Sequence, residues 1–288
     1  MSTSLGYKAF QGVLRATRYR NHMPKDAAKG NTRDMLPKGK WAKRWRREEF
    51  EGRAVWLCDP AGGPTDRVYV HLHGGGYVYG IQSLHYMALG ELSDHAGMTV
   101  IMPDYPLPPV AKAREIIGWA DRHFASAVEC YGLANVSLGG DSAGANLALA
   151  VLQMRSARGE PQPETNILWS PWLDLTGPRE FTKEDDYEAL ITPFGLEPAV
   201  TGYVGDMDRN DPLISPLGAD IDALPPMHIV SGGKDILHHD GVAFAERARA
   251  AGKLASLTLE PDYGHYWMFY PVKDRHRTLR EIAGMLAG

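Results

Sequence analysis

The sequence predicts an α/β protein whose mostly parallel central sheet is covered by helices on both faces. Short β-rich runs alternate with helical segments along most of the 288 residues, and strands that alternate with helices are the pattern of βαβ units. The composition, 44% hydrophobic and 23% charged, is that of an ordinary globular protein. The chain length fits one large α/β domain or two small ones, and it allows a sizeable core.

The strands and helices of this pattern can be placed approximately along the chain. Seven β-rich runs predict strands at Arg53–Leu57, Val68–Leu72, Thr99–Met102, Asn135–Leu138, Asn166–Trp169, Met227–Val230 and Ser256–Leu259. Helical segments are predicted at about Ser83–His95, Val110–Tyr131, Ala143–Arg158, Asp240–Ala251 and Asp274–Leu286. Because a helix connects most consecutive strands, each strand can run parallel to the strand before it.

Two regions depart from this alternation. In the N-terminal segment, residues 1–50, Tyr7, Phe10 and Leu14 recur at helical spacing and predict an amphipathic helix. The second region, Gly177–Asn210, is acidic, contains three prolines and stands between two strands where one helix would suffice. We interpret it as an insertion that folds over the sheet.

Charge is unevenly distributed, although the chain as a whole is not basic. The formal net charge is −4, but residues 1–50 hold 13 Lys and Arg against 4 Asp and Glu. The densest basic stretch, Lys38–Arg47, includes Trp41 and Trp45, so a nucleic-acid or anionic-membrane patch is one interpretation. A solvated, partly packed face is the favoured one, and we expect no nucleic-acid partner.

The sequence shows no sign of secretion, of a membrane span or of a disulfide framework. No apolar stretch approaches the roughly 18 residues that a membrane span needs, and no cleavable leader pattern begins the sequence. The two cysteines, Cys58 and Cys130, are too few for a disulfide framework. We therefore expect a cytoplasmic protein without stable membrane insertion; whether it forms a homodimer is left open.

A candidate nucleophile lies in Gly140-Asp141-Ser142-Ala143-Gly144, which matches G-x-S-x-G. The motif stands between the predicted strand Asn135–Leu138 and the helix that opens at Ala143, where a nucleophile elbow must stand. A serine on so sharp a turn takes a strained backbone, and glycines two residues to either side avoid collisions with neighbouring elements. The alternative for Ser142 is a helix N-cap.

A serine hydroxyl needs a base, and the base needs a group that fixes its tautomer. In this arrangement the acid and then the histidine follow the serine along the chain. Asp235 follows the strand Met227–Val230, and His265 follows the strand Ser256–Leu259. Both therefore leave the carboxyl ends of parallel strands, where ligands sit in open α/β sheets. We predict that Ser142, His265 and Asp235 form the catalytic triad.

Nearby residues compete for these roles. His238 and His239 follow Asp235 too closely in the chain to reach the nucleophile and are interpreted as first-turn or surface residues. Asp240 is interpreted as the cap of the following helix, and Asp262 as an exposed turn acid. A metal site is conceivable, but no ligand spacing such as H-E-x-x-H supports it; its candidate ligands are His71, His73, His238, His239 and Asp240. No metal and no cofactor are expected.

A third signature, His73-Gly74-Gly75-Gly76, follows the strand Val68–Leu72. Acyl transfer passes through a tetrahedral intermediate whose oxyanion is stabilised by hydrogen bonds from backbone N–H groups. Glycines allow the backbone to come close enough to the oxyanion to donate these bonds. An H-G-G-G loop supplies one part of such an oxyanion hole, and the N–H after the nucleophile, here Ala143, supplies the other.

With these motifs the sequence resembles the hormone-sensitive-lipase-like family of α/β-hydrolases, bacterial carboxylesterases with an HGGG motif and a GDSAG elbow. The resemblance runs from about Val68 to the C-terminus. It implies the α/β-hydrolase fold, a structural role for His73 and an oxyanion hole formed by Gly75, Gly76 and Ala143. It also implies a helical cap over the acyl pocket, built from the N-terminal segment (residues 1–50) and an insertion at about 177–210 in the catalytic domain (residues 51–288).

One departure from the family pattern concerns the segment Asp104–Ala111. The family usually has a longer D-Y-R-L-A-P-E stretch there, whereas this chain lacks both the arginine and the glutamate. A milder departure is Ala145 in place of a glycine within the elbow. Neither removes a catalytic group.

The leading functional hypothesis is a serine carboxylesterase that hydrolyses short- to medium-chain acyl esters of small molecules. A lactonase, amidase or carbamate hydrolase could use the same triad, and the sequence does not separate these activities. A non-catalytic ligand-binding protein on this scaffold would be expected to lack a triad residue, and all three are present.

Overall fold

The computed structural model describes residues 3–29, 35–177 and 187–287. Within these residues the centre of the molecule is one sheet of eight strands in the order β1-β2-β4-β3-β5-β6-β7-β8. The strands are β1 (Trp45–Phe50), β2 (Arg53–Cys58), β3 (Val68–Leu72), β4 (Thr99–Pro103), β5 (Val136–Asp141), β6 (Asn166–Trp169), β7 (Met227–Gly232) and β8 (Leu254–Glu260). From β3 to β8 every neighbouring pair is parallel, so the predicted mostly parallel sheet is confirmed.

The antiparallel part of the sheet is one edge, formed by β1 and β2. They are joined by a two-residue turn in which Glu51 and Gly52 have φ of 47° and 76°, the left-handed pair that a tight hairpin requires. Strand β1 is not predicted from the sequence, because its residues, WRREEF, show no alternation of apolar and polar side chains. In the structure only Trp45 of this strand is buried. The N-terminal segment therefore contributes a strand to the sheet.

Helices cover both faces of the sheet, as predicted. In the described residues they are α1 (Leu5–Ala16), α2 (His22–Lys29), α3 (Ser83–Ala96), α4 (Ala113–Tyr131), α5 (Ala143–Ala157), α6 (Pro193–Val204), α7 (His238–Ala250) and α8 (Asp274–Ala287). The apolar sides of α4, α5 and α7 share one core with Val68, Val70 and Leu72 of β3. The apolar sides of α3 and α8 share a second core with Tyr69 of the same strand. Side chains alternate along a strand, so β3 serves both cores.

The two N-terminal helices lie on the same side of the molecule as the carboxyl ends of the strands. In α1, Tyr7 and Leu14 are buried and join the core that contains Tyr263 and Tyr270, while α2 packs against α6. Residues 30–34 of the N-terminal segment and 178–186 of the predicted insertion lie outside the described residues.

None of the helices in the described ranges combines the length and the apolar character that crossing a membrane demands.

Candidate active site

Ser142 is the single residue between strand β5 and helix α5. β5 ends at Asp141, α5 begins at Ala143, and Ser142 itself has φ 54° and ψ −117°, a conformation that L-residues rarely adopt. A Cβ on Gly140 or Gly144 would overlap the carbonyl oxygen of Leu72 in β3. The glycines of the motif therefore allow the elbow to press against the neighbouring strand, as the sequence analysis supposed.

The predicted acid and base meet at the ends of β7 and β8. His265 Nδ1 lies 2.8 Å from Asp235 Oδ2, and the other oxygen of Asp235 accepts the N–H of Leu237 at 2.8 Å. Both side chains are buried. The carboxylate thus has a fixed orientation, in which one oxygen holds the backbone and the other holds the imidazole.

The electrostatic surroundings of His265 favour the protonated imidazole. Burial lowers its pKa, but the negative charge of Asp235 and the hydrogen bond to it outweigh burial, so that the pKa lies above the ordinary value of 6.5. Smaller contributions in the same direction come from Glu188 and Asp141. An imidazolium formed during proton transfer would therefore be stabilised where it forms.

Ser142, His265, Gly75 and Gly76 line one cavity of about 250 Å³. Most of its remaining wall is apolar, and much of that wall comes from the two regions that the sequence singled out. The N-terminal segment contributes Phe10, Leu14, Tyr19, Met23 and Met35, and the insertion contributes Leu190, Ile191 and Leu196. The nucleophile, the base and the glycine loop therefore line a single, mostly apolar cavity.

The glycine loop has a backbone that only glycine accommodates easily. Gly75 and Gly76 have φ of 122° and 63°, and a Cβ on Gly75 would overlap the carbonyl oxygen of Tyr79. Ala143 is the first residue of α5, and N–H groups in the first turn of a helix have no acceptor within the helix. Gly75 and Gly76 line the cavity, and Ala143 follows the cavity-lining Ser142, so the assignment of these three residues to the oxyanion hole stays a prediction.

Several buried contacts hold this loop in place. His73 Nδ1 lies 2.8 Å from the carbonyl oxygen of Gly74, and its ring stacks on Tyr105 with centroids 4.2 Å apart. The hydroxyl of Tyr105 donates to the carbonyl of His73 at 2.6 Å. Burial lowers the pKa of His73 to about 3, so this ring is neutral at physiological pH and serves packing.

The segment that departs from the family pattern is held by an arginine from another strand. Arg53 of β2 donates from Nε to the carbonyl oxygen of Asp104 at 2.7 Å and from Nη2 to its carboxylate at 2.9 Å. The segment therefore keeps a guanidinium partner although the arginine after Tyr105 is missing.

Asn146, in the first turns of α5, connects the motifs that follow β6. Its amide donates to the carbonyl oxygens of Trp172 at 3.1 Å and Ile214 at 2.9 Å, and it accepts the hydroxyl of Tyr77 at 2.8 Å. A single side chain thus ties the elbow helix to the glycine loop and to both later segments.

One competing assignment is wrong. Asp240 does not cap α7, because it lies inside the first turn of that helix and its carboxylate accepts the N–H groups of Leu173 and Asp174, each at 3.0 Å. Burial raises its pKa to about 7. His238 and His239 lie in the same turn. Among the residues that the structure describes, no cluster of three or more His, Cys, Asp or Glu could hold a metal ion.

Two ionisable groups beside the site were not identified from the sequence. His85 of α3 lines the cavity, and its Nε2 lies 2.6 Å from the hydroxyl of Tyr266. Glu188, within the insertion, is wholly buried and accepts the N–H of His265 at 2.7 Å. Neither residue belongs to a motif, so only their burial in the folded chain distinguishes them from other polar residues.

Comparison with known proteins agrees with the α/β-hydrolase fold. The family described as alpha/beta hydrolase fold matches residues 69–269. An acetyl-hydrolase of Streptomyces hygroscopicus is 33% identical over 223 residues, which cover 76% of this chain and 74% of the relative. A triacylglycerol lipase of Mycobacterium tuberculosis is 30% identical over 220 residues, 76% of this chain but only 46% of the lipase. This chain therefore spans about half the length of that lipase.

A solved structure extends the similarity to the whole chain. The crystal structure of an esterase from the bacterial hormone-sensitive lipase family superposes with a TM-score of 0.84 at 27% identity, covering 100% of this chain and 99% of that one. The similarity thus includes the N-terminal segment, which the family match does not reach.

Proposed function

Since the chain belongs to the α/β-hydrolase family, within its hormone-sensitive-lipase-like group, we propose that it is a serine carboxylesterase acting on short- to medium-chain acyl esters. The observation that carries the proposal is the 2.8 Å contact between Asp235 and His265 beside a cavity that Ser142 and His265 line together. Named relatives that hydrolyse esters support the same activity.

In the proposed reaction, Ser142 Oγ attacks the ester carbonyl carbon while His265 Nε2 takes the hydroxyl proton. The carbonyl oxygen becomes an oxyanion that the N–H groups of Gly75, Gly76 and Ala143 stabilise. Collapse expels the alcohol, which receives the proton from His265, and leaves an acyl-enzyme. A water molecule, deprotonated by the same imidazole, then releases the carboxylic acid and restores Ser142.

The pH dependence of this reaction should follow the protonation of His265. The base must be neutral to accept the serine proton, and its pKa is raised by Asp235, so the base is lost as pH falls through that raised value. We expect kcat/KM to rise with pH through a midpoint above that of an ordinary histidine and to hold at mildly alkaline pH. A profile of kcat/KM from pH 5 to 9 with a soluble aryl ester measures this. A flat profile, or a midpoint below 6, would contradict the assignment of the base.

We further propose that the part of the N-terminal segment before β1, together with the insertion, forms a helical cap over the acyl pocket. Five cavity-lining residues come from the former and three from the latter, and α2 and α6 pack on one another. A Cβ on Gly76 would come within 3.1 Å of the sulfur of Met23, and both residues line the cavity, so this side chain would cover an acyl group held at the oxyanion hole. The catalytic domain would then supply the chemistry and the cap the apolar cover.

If Met23 covers the acyl group, Met23→Ala should weaken the preference of the enzyme for longer acyl chains. A buried methylene contributes about 0.8 kcal/mol, so each methylene that loses its cover should reduce the preference for hexanoyl over acetyl esters by about fourfold. The ratio of kcat/KM for the two esters measures it. The matched control is Met154→Ala on α5, a partly buried methionine that packs on the core instead of the cavity.

Point variants are the sharper design here, because deleting the segment would also remove Tyr7. The Tyr7 hydroxyl accepts the N–H of Gly264, next to the base, at 2.6 Å. Equal ester ratios in Met23→Ala, Met154→Ala and the unmodified protein would show that Met23 does not cover the acyl group.

Lactones, amides and carbamates are the alternative substrates for the same triad. A series of aryl esters from acetyl to octanoyl, assayed beside a lactone, an anilide and an aryl carbamate, separates these activities. The proposal requires the highest kcat/KM on an ester of two to six acyl carbons.

A further inference from the structure

Glu188 is a second buried carboxylate beside the base. Its side chain is 0% exposed, Oε2 accepts the backbone N–H of His265 at 2.7 Å, and Oε1 accepts the N–H of Leu190 at 2.7 Å. Burying a carboxylate is costly unless its oxygens are hydrogen-bonded, and here both oxygens are used. One of the two bonds goes to the peptide group that carries the catalytic imidazole.

The backbone on either side of His265 is anchored by buried polar groups. Glu188 holds its N–H, and the hydroxyl of Tyr270 donates to its carbonyl oxygen at 2.9 Å. The next residue, Tyr266, has φ 69°, which is an uncommon conformation for a large side chain. A loop that turns in this way needs fixed partners, and Glu188 provides one of them from outside the loop.

Glu188 is itself held by the N-terminal segment. Arg20 donates to its carbonyl oxygen at 3.3 Å, and Arg15 donates to the carbonyl of the preceding residue, Tyr187, at 2.7 Å. The Tyr7 hydroxyl accepts the N–H of Gly264, immediately before the base. Hydrogen bonds thus connect the N-terminal segment, the insertion and the loop after β8 at the backbone of Gly264 and His265.

We propose that Glu188 is a positioning residue of the catalytic base, which fixes the peptide group of His265 and places a second negative charge beside its imidazole. This inference rests on the proposed function, because it assigns Glu188 a role in that reaction. The insertion would then do more than cover the acyl group, since its Glu188 carboxylate would also help to position the imidazole of His265.

The charge of Glu188 acts on His265 in the same direction as Asp235. Glu188 contributes to the raised pKa of His265, and burial and the proximity of Asp235 raise the pKa of Glu188 itself to about 7. The pKa of each group therefore depends on the charge of the other. The titratable and charged groups that face this pair are Asp235, Asp141, Tyr7, Tyr266, Tyr270 and Arg20.

Glu188→Gln tests both parts of the proposal. Removing the negative charge should lower the pKa of His265, so the acid limb of kcat/KM should move to lower pH by about half a unit or more. The amide must also direct its NH₂ at one of two N–H groups, which loosens the loop, and kcat should fall about 10-fold to 100-fold with a smaller change in KM. The matched control is Asp240→Asn, a partly buried carboxylate that also has two backbone N–H partners. This variant should keep the position of the acid limb.

Histidine-selective NMR titration of His265 gives a readout that needs no substrate. The His265 pKa should fall in Glu188→Gln and stay in Asp240→Asn. Glu188→Asp keeps the charge but shortens the reach, so its acid limb should stay while kcat falls; this variant also serves if the glutamine variant does not fold.

Three outcomes overturn the inference: an unmoved His265 titration in Glu188→Gln, an equal shift in Asp240→Asn, or full kcat in Glu188→Asp. An unmodified protein that hydrolyses no ester would instead contradict the proposed function, and the NMR titration would still decide whether Glu188 sets the pKa of His265.

Discussion

Ser142→Ala is expected to abolish ester hydrolysis while the protein stays folded. The nucleophile is one hydroxyl on an elbow whose backbone shape is imposed by contacts of the neighbouring glycines with β3, and alanine keeps the Cβ that already occupies that position. Because triad members act as a unit, kcat should fall by about 10⁴ to 10⁶. Burst and steady-state assays with an aryl ester measure the loss, and the melting temperature reports the fold.

The chain offers a matched control in Ser170→Ala. Ser170 is also a buried serine with a positive φ, 43°, directly after a strand, and in the described residues its hydroxyl has no hydrogen-bond partner. It does not line the cavity, so its replacement should leave kcat within about twofold of the unmodified protein. Activity that survives in purified Ser142→Ala would rule out this serine as the nucleophile.

Asp235→Asn is expected to cost about 10⁴ in kcat with little change in overall structure. Asp235 accepts two hydrogen bonds, from Leu237 N–H and from His265 Nδ1. An asparagine has one oxygen, and if that oxygen keeps the bond to Leu237, its NH₂ faces Nδ1. The imidazole must then carry its proton on Nε2, which leaves no lone pair there to accept the serine proton.

The effect should be specific to this carboxylate. Asp262→Asn makes the same substitution in the loop before the base, where the side chain is 45% exposed and pairs with Lys234 at 3.0 Å. A surface pair of this kind contributes little, so this variant should keep its kcat. Equal losses in the two variants would indicate a general loop effect and contradict the role of Asp235.

The triad and the glycine loop could be predicted because their chemistry leaves local sequence marks. Glycines around Ser142 and after His73 are needed for backbone shape, and the strands before Asp235 and His265 are apolar runs. The edge strand β1 left no such mark, since its charged side chains face solvent. A prediction from apolar pattern therefore misses the strand, although it completes the sheet.

Glu188 and Asp240 show a second limit of prediction from sequence. Each is an acidic residue near other acidic or polar residues, and each carboxylate accepts backbone N–H groups from distant parts of the chain only in the folded protein. Which partner an acid finds depends on how the chain packs. Sequence spacing suggested a helix cap for Asp240, and it gave no role to Glu188.

The hydrogen bond between Tyr7 and Gly264 joins groups that are 257 residues apart. Closing so long a loop is slow and entropically costly until other contacts offset it. We therefore expect the peptide that precedes the base to gain this partner after much of the chain between them has been organised. The sheet and the elbow can form before α1 docks, and in that order hydrolytic competence would appear with the docking of α1.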